Sequence, residues 1–402
     1  MFLNRKFIIP GLFFLLSPLC ANAQWKKMSS PVTKDLYDIQ VMGKIGYSVG
    51  IGGTFIKSGD SGKTWKSISL PLNYDVRALY FFDTSTGFIT GENARIYKTR
   101  NGGKTWTQKY IQTATYAYGM AFRGSNGIAV GMNLLALSTT DSGETWKSDT
   151  TGKSYVKLKS ACITPGGMCW AVGDSCHILK KHISQRRWQV MKYPYNVDLN
   201  QVLNLGDSVI IIVGGQPDTA HPGKYFNILI RSTDSGKIFS TTSINEMKTI
   251  NSAWFRTPDT GFLVGSNGII SKCYQPFTTR GQQLSGTPSI LNKVMFDGKT
   301  GYIAGDGGTI LRTTNNGGFG LSINAPERLQ HLHIYPNPGS GMFTLETAVK
   351  ANKLYIYDEQ GRFVKVVLIG EDGVFQVDAS GLYFIRAELE DGSVMTGLVR
   401  VE

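Results

Sequence analysis

The sequence predicts an all-β protein: a seven-bladed β-propeller followed by a small immunoglobulin-like β-sandwich. Two short phrases recur along most of the chain with a period of about 41 residues, and each unit holds four strand-like runs. Four short strands in about 40–45 residues is the pattern of one propeller blade. No long stretch has the 3.6-residue period of a helix. Glycine accounts for 47 of the 402 residues, which favours many tight turns.

We expect residues 1–23 to form a secretory signal peptide. Arg5 and Lys6 precede an almost wholly apolar run, and Ala21-Asn22-Ala23 offers a small-x-small cleavage site. Cys20 would leave with this segment. Beyond it, no apolar run approaches the roughly 20 residues of a membrane span, so no transmembrane segment is expected.

The first recurring phrase is glycine, an aromatic residue, two further residues and glycine. It occurs at 46–50, 87–91, 261–265 and 301–305, with a close variant at 127–131 and degenerate copies near 169 and 210. These positions define seven units, and one longer step indicates an insertion at about 216–225. We therefore assign residues 24–322 to the propeller.

The second phrase reads Ser/Thr-x-Asp-x-Gly-x-Thr-Trp, the Asp-box pattern. An Asp or Asn side chain can bond to nearby backbone N–H groups and hold a turn, while glycine permits positive φ. We predict a structural, non-catalytic role for the residues that define the four good copies: Asp60, Trp65, Asn101, Trp106, Asp141, Trp146, Asp234 and Phe239.

Ring closure supports the count of seven. Unit seven lacks its last strand, and Trp25-Lys26-Lys27-Met28 resembles Trp65-Lys66-Ser67-Ile68 of unit one. We predict that the N-terminal strand completes blade seven and removes an exposed sheet edge. An open or six-bladed arrangement is the alternative.

The repeat stops near 323. After a linker at 323–331, residues 332–402 contain Tyr335-Pro336-Asn337-Pro338, then Asp358 and Gly361-Arg362, then Gly381-Leu382-Tyr383. This order resembles the C-terminal sorting domain of the type IX secretion system of Bacteroidota. The resemblance implies that type IX machinery acts on residues 332–402 and exports the protein to the outer cell surface or the medium. The alternative is an ordinary immunoglobulin-like binding module.

The repeat region itself resembles the Asp-box, or sialidase-type (BNR), superfamily, and its short blades look most like photosystem II assembly-factor-like propellers. Such a resemblance fixes a fold better than a function. Residues 24–322 carry 33 basic and 18 acidic side chains, whereas 323–402 carry 7 and 11. We therefore expect a basic disc that attracts a glycan, lipopolysaccharide or acidic protein, with no specific nucleic-acid site. The alternative is that these lysines are simply solvated.

Ligands of propellers usually meet the face opposite the Asp-box turns, and tyrosine offers a rigid contact area with a hydroxyl group. The candidate binding residues predicted on that face are Tyr74, Arg77, Tyr116, Tyr118, Tyr155, Tyr193, Tyr195, His221 and Tyr225. The alternative is that these tyrosines pack between blades.

No catalytic residue is assigned. Glutamate is scarce in the repeats, and the phrases of a sialidase are missing, although Asp35, Asp38, Asp75 and Asp198 could pair as in Asp-box glycosidases. Cys162 and Cys169 could form a hairpin disulfide or remain free thiols, and their spacing fits no common zinc site. No cofactor or metal is expected. The sequence thus favours an exported, non-enzymatic binding or scaffold protein over a glycoside hydrolase or an envelope assembly factor.

Overall fold

The computed structural model describes residues 25–112, 115–149, 151–152, 155–191, 193–217, 225–244, 249–274, 279–317, 332–346, 351–358, 363–370, 373–389 and 394–402. Three predictions lie outside these residues: the signal peptide at 1–23, the linker at 323–331 and the candidate residue His221.

The described residues between 26 and 313 form seven four-stranded antiparallel sheets, numbered here 1 to 7 in chain order. Sheet 1 contains Leu36–Met42, Ile45–Gly50, Thr54–Ser58 and Lys66–Ser67. Sheet 2 contains Val76–Phe81, Gly87–Gly91, Ile96–Thr99 and Thr107–Tyr110. Sheet 3 contains Ala117–Arg123, Asn126–Gly131, Ala136–Thr139 and Lys147–Ser148. In sheets 1 to 6, the first strand lies at one edge and the chain order is kept across the sheet.

Sheets 4 to 7 repeat this plan. Sheet 4 contains Leu158–Ile163, Met168–Gly173, Ile178–His182 and Gln189–Met191, and sheet 5 contains Leu199–Leu205, Val209–Pro217, Tyr225–Ser232 and Ser240–Ser243. Sheet 6 contains Ile250–Thr257, Thr260–Gly265, Ile270–Tyr274 and Thr279–Gln283. Sheet 7 contains Leu291–Asp297, Thr300–Gly305 and Thr309–Thr313, together with the N-terminal strand Lys26–Lys27. Short 3-10 turns at Ile51–Gly53, Met132–Leu134, Asp174–Cys176 and Ser266–Gly268 join second to third strands.

The sheets form a closed cycle. The first strand of each sheet contacts the first strand of the next, and the first strand of sheet 7 contacts that of sheet 1. Hydrophobic clusters fill the spaces between neighbouring sheets, as where Val172 of sheet 4 meets Leu199 of sheet 5. The core is therefore a series of sheet-on-sheet layers around a central axis, with the first strands innermost.

The N-terminal strand closes this cycle, as the sequence predicts. Lys26 pairs with Arg312 and Lys27 with Leu311, so the strand becomes the fourth strand of sheet 7. Trp25 is 1% exposed and packs edge-on against Phe262 and Phe296. Its indole N–H donates to Gln283 Oε1 at 2.5 Å. One side chain thus ties sheet 7 to sheet 6.

Sheet 4, like sheet 6, has no Asp-box. Lys181 stands where the units with a box place its Ser or Thr. Its ammonium lies 2.6 Å from Asp149 Oδ2, and both side chains are 0% exposed. Lys181 also donates to Ser138 Oγ and Gln185 O, while Trp188 Nε1 donates to Asp149 at 3.1 Å. A buried ion pair between sheets 3 and 4 thus replaces the usual turn.

The C-terminal strands form two further sheets. One contains His333–Tyr335, Met342–Glu346 and Val374–Gln376, and the other contains Phe363–Leu368, Ala351–Asp358, Gly381–Leu389 and Val394–Val401. Phe343 and Phe375 of the first sheet and Leu354 and Ile385 of the second are buried in one hydrophobic cluster. The two sheets therefore share one core.

Candidate functional site

The Asp-box side chains hold turns between third and fourth strands. In sheet 1, Asp60 Oδ1 accepts the backbone N–H of Thr64 at 2.9 Å, and Asp60 Oδ2 accepts the Thr64 hydroxyl at 2.7 Å. The same bonds recur at Asp141 with Thr145. Trp65 is buried, and its Nε1 donates to Gly62 O. These contacts are local, which supports the structural role predicted for the boxes.

The hydrogen bonds from Thr64 lower the pKa of Asp60 to about 2, and similar bonds hold the pKa of Asp234 below its usual value. Because the ionised form is favoured in the folded state, this stability is present above an unfolded pKa of about 4 and is lost as pH falls towards 2. We expect the urea midpoint to fall over that range.

Asn101 provides the control for this pH effect, since its Oδ1 accepts the backbone N–H of Thr105 at 2.9 Å with no carboxylate. Asp60→Asn should therefore keep the turn, and the urea midpoint of the variant should fall less than that of the parent protein as the pH is lowered. Equal slopes for the variant and the parent protein would contradict a contribution from Asp60.

The face opposite the Asp-box turns is built by close backbone contacts. The last glycine of the glycine–aromatic phrase, or its equivalent, lies at or near the end of the second strand of each sheet. The backbone N–H of the residue after this glycine donates to the carbonyl of the residue just before the first strand. In sheet 3, Met132 N–H donates to Tyr116 O at 2.8 Å. A Cβ at Gly131 would lie 1.8 Å from that carbonyl oxygen. The recurring glycine therefore reflects this contact, which repeats in all seven sheets.

Each first strand also carries a β-bulge at its second residue, where the register with the second strand shifts by one. Bulges re-aim a side chain, and they are common beside functional sites. We call the seven bulged residues the bulge ring: Tyr37, Arg77, Tyr118, Lys159, Asn200, Asn251 and Asn292. All seven are half-buried.

Three asparagines make one half of the ring a structural clamp. Each donates its amide Nδ2 to a backbone carbonyl at the start of the next sheet: Asn200 to Ile250 O at 2.6 Å, Asn251 to Leu291 O at 3.1 Å and Asn292 to Leu36 O at 2.9 Å. These bonds lock sheets 5, 6, 7 and 1 to one another.

The other half is aromatic and cationic. The Arg77 guanidinium carbon lies 3.9 Å from the Tyr37 ring centre, and Arg77 Nη2 binds Asp75 Oδ2 at 2.7 Å. Burial raises the pKa of Tyr37 to about 12 and also raises that of Tyr118, with the Arg77 charge opposing both. Both phenols stay protonated at neutral pH. The buried Nε of Arg77 has no hydrogen-bond partner within the described chain.

Carboxylates lie beside this half and compensate part of its positive charge. Lys159 lies 2.7 Å from Asp174 Oδ1 and 3.1 Å from Asp198 Oδ2, so its charge is compensated. Asp35 and Asp306 lie beside Tyr37 as well. Exposed lysines lie in fourth strands, at the outer edges of the sheets (Lys26, Lys27, Lys66 and Lys147), and also just before first strands, at Lys34 and Lys157.

The candidate tyrosines separate into small groups. Tyr116 and Tyr118 stack with ring centres 6.0 Å apart. Tyr193 contacts Tyr195 at 5.6 Å and Phe239 at 6.1 Å between sheets 4 and 5.

The other candidates lie apart. Tyr74 lies under Arg95. Tyr225 begins the third strand of sheet 5, and Tyr155 is 95% exposed. Only Arg77 and Tyr118 of the predicted set belong to the bulge ring.

The ring members Tyr37 and Lys159 were missed from the sequence. The pattern that could have found them is the second residue of each first-strand run, 9 or 10 residues before the glycine phrase. That position is polar or aromatic in all seven units, and the residue before it is apolar in each.

Four carboxylates were considered for glycosidase chemistry, and each one is engaged within the fold. Asp35 accepts Gly307 N–H, Asp75 accepts Gly52 N–H and Asp198 accepts Ser175 N–H, at 2.9 to 3.1 Å. Asp38 accepts the N–H groups of Ile39 and Leu79 at 3.0 Å. Asp35, Asp75 and Asp198 therefore each hold the turn between the second and third strands of the preceding sheet.

The structure corrects the disulfide between Cys162 and Cys169, since both are free thiols. Cys162 pairs with Trp170 and Cys169 with Ile163, so the two cysteines occupy neighbouring ladder positions. Adjacent positions point to opposite faces of a sheet. Cys162 therefore packs against sheet 5, and Cys169 packs against sheet 3. Burial raises the pKa of both thiols.

Residues 64–153 match the family described as photosynthesis system II assembly factor YCF48, and residues 333–400 match the secretion system C-terminal sorting domain. The chain carries a YCF48-like BNR propeller and a type IX sorting tail. The tail directs type IX export, to the cell surface or into the medium. No helix in the described ranges is long and apolar enough to cross a membrane.

Among curated proteins, photosystem II stability/assembly factor HCF136 of Oryza sativa subsp. japonica is 31% identical over 93 residues, covering 21% of this chain and 22% of that protein. The photosystem II assembly lipoprotein Ycf48 of Synechococcus sp. (strain CC9902) is 21% identical over 194 residues, covering 44% and 58%. The chain thus spans about a fifth of the length of the first relative and less than two thirds of the second.

Solved structures share the fold at low identity. YCF48 bound to a D1 peptide superposes with a TM-score of 0.59 at 20% identity, covering 72% of this chain and 97% of that one. An ancestral GH74 enzyme superposes with a TM-score of 0.58 at 10% identity, covering 92% and 63%. At these identities, the likeness concerns the fold alone.

Proposed function

We propose that this chain is an exported, non-enzymatic binding or scaffold protein, and that the bulge ring holds an extended segment of a partner protein. The observation that carries the proposal is the half-ring of Tyr37, Arg77, Tyr118 and Lys159, in which ion pairs and ring contacts fix the side chains before any partner arrives. Preorganised aromatic and guanidinium groups cost little entropy on binding.

The relative whose structure contains a D1 peptide supports a polypeptide as the partner. The mixed charge of the half-ring supports a segment with both polar and charged groups over a purely acidic polymer. Glycan, lipopolysaccharide and acidic protein remain the other partner classes for this exported protein. The family match at 64–153 is to assembly factors, so docking of an envelope protein is one form of the same role.

In this proposal, the seven sheets are the blades of a seven-bladed propeller, and the tail is an immunoglobulin-like sandwich. The propeller occupies 24–322 and the sorting domain 332–402, through which the type IX machinery acts. The family match at 333–400 supports the second assignment. Whether the propeller stays attached to the cell depends on how the tail is processed.

The glycoside hydrolase alternative draws on the fold shared with the GH74 enzyme. The four candidate aspartates each accept backbone N–H groups of turns or strands: Asp35, Asp38, Asp75 and Asp198. These contacts argue against a catalytic carboxylate pair among them. A glycan array with a hydrolysis readout tests this alternative, and turnover would refute the non-enzymatic assignment.

Binding is tested with the full chain against a displayed library of random peptides, followed by affinity measurement on the selected peptides. We expect Arg77→Ala and Tyr118→Ala each to weaken binding at least tenfold, because truncating a central aromatic or arginine anchor typically costs about 2 kcal/mol or more. Tyr118→Phe should retain most of the affinity if the ring provides the contact.

Lys63→Ala is the matched control, since Lys63 is exposed on an Asp-box turn of the opposite face. It should leave the affinity unchanged. Selected peptides that bind the Arg77→Ala and Tyr118→Ala variants as tightly as the parent protein would refute the bulge ring as the site.

A further inference from the structure

A cavity of about 750 Å³ lies on the Asp-box face, beside sheets 2, 3 and 4. Tyr80 and Phe122, at the ends of two first strands, form its floor, with their ring centres 5.0 Å apart. Pro165 and Ile183 form an apolar wall, and Arg123 and Asn126 form a polar rim. The cavity is separate from the bulge ring, which lies at the opposite ends of the first strands.

The turn of sheet 4 that lines this cavity has no Asp-box, a feature that sheet 4 shares with sheet 6. In sheet 3, the box glycine Gly143 packs on Phe88 of sheet 2, where a Cβ would lie 2.3 Å from the ring. Sheet 4 has no such glycine, and sheet 3 offers Ile128 at the position of Phe88. Trp188 instead turns towards Asp149 and Lys181. Ile183 stands at the position that the box aspartate takes in the sheets with a box, and it lines the cavity together with His182.

The rim of the cavity presents hydrogen-bond donors. Arg123 Nε donates to Pro165 O at 3.2 Å, which fixes the guanidinium at the edge of the cavity. Its two terminal nitrogens and the Asn126 amide have no hydrogen-bond partner within the described chain. No carboxylate lines the cavity. Asp207, which does not line the cavity, accepts the backbone N–H of Gly166, and the charge of Arg123 helps to lower the pKa of Asp207.

We propose that this cavity is a second ligand site, which takes a carboxylate-bearing sugar ring such as a uronic acid residue of an acidic glycan. The terminal nitrogens of Arg123 would bind the carboxylate in two parallel hydrogen bonds. Asn126 would bind a hydroxyl group, and the apolar face of the sugar would cover Tyr80 and Phe122. This site does not depend on the proposed function of the bulge ring.

The test is calorimetric titration of the full chain with tetragalacturonate. The fully methyl-esterified tetramer is the uncharged control, and short peptides with a free C-terminal carboxylate are the competing ligand class. We expect binding of tetragalacturonate, with at least tenfold loss in Arg123→Ala and a comparable loss for the methyl ester. Asn126→Asp should also weaken binding, because it places a negative charge beside the carboxylate.

Arg256→Ala is the matched control. Arg256 lies at the corresponding end of the first strand of sheet 6 and binds Gly298 O at 2.6 Å, as Arg123 binds Pro165 O, but it does not line the cavity. It should keep the parent affinity. The site is refuted if tetragalacturonate does not bind or if Arg123→Ala and Asn126→Asp both bind normally while retaining the parent circular dichroism spectrum. The proposal is equally refuted if the peptides are the only ligands whose binding depends on Arg123. Selection of peptides at the bulge ring should be unaffected by Arg123→Ala, so the two sites fail independently.

Discussion

Trp25→Ala lowers the free energy of unfolding by about 3–5 kcal/mol, the usual range for truncation of a buried tryptophan. Trp25 is the aromatic anchor of the closing strand, and its ring packs edge-on against Phe262 and Phe296, which stack on each other. Its removal also leaves Gln283 Oε1 without the indole donor. The loss should appear as a lower urea midpoint when unfolding is followed by far-ultraviolet circular dichroism.

The control for this variant is Lys26→Ala, in the same strand. Lys26 is exposed and contributes its backbone to the pairing with Arg312, so its side chain should matter by less than about 0.5 kcal/mol. Equal stabilities for Trp25→Ala and Lys26→Ala would mean that the N-terminal strand does not close the cycle of sheets.

The repeated parts of the fold could be predicted because one physical requirement recurs in every unit. A glycine that must approach a carbonyl, as Gly131 approaches Tyr116 O, leaves the same mark at each repeat. The turn held by Asp60 and Thr64 does likewise. The pairing of the N-terminal strand with sheet 7 followed from a likeness between two tryptophan-led segments. In each case, the residue that satisfies the local contact is also the residue that the overall fold needs at that position, so the sequence shows it.

The bulge ring could not be predicted in the same way, because a bulge is a property of the pairing between two strands. Tyr37 and Asn292 look unrelated in sequence, yet both occupy the extra residue of an otherwise regular ladder. The disulfide prediction failed for a related reason. Spacing brings Cys162 and Cys169 to one hairpin, but only the register decides that they point to opposite faces.

Asp149→Ala should destabilise the protein by about 3–5 kcal/mol, the cost of leaving one partner of a buried ion pair uncompensated. Lys181 would keep Ser138 Oγ and Gln185 O as acceptors, but it would have no counter-charge at a position with 0% exposure. Trp188 would also lose the acceptor of its indole N–H. Urea unfolding followed by circular dichroism measures the effect.

The double variant Asp149→Leu with Lys181→Met separates the ion pair from the packing of sheets 3 and 4. Replacing both charges with apolar side chains of similar size is often neutral or stabilising, because the desolvation penalty of the two ions disappears with them. We therefore expect the double variant to be more stable than Asp149→Ala, with a non-additive coupling of at least about 1 kcal/mol. A double variant that loses as much as the two single variants combined would show that Lys181 and Asp149 act independently. In that case, the ion pair would not be what replaces the missing Asp-box of sheet 4.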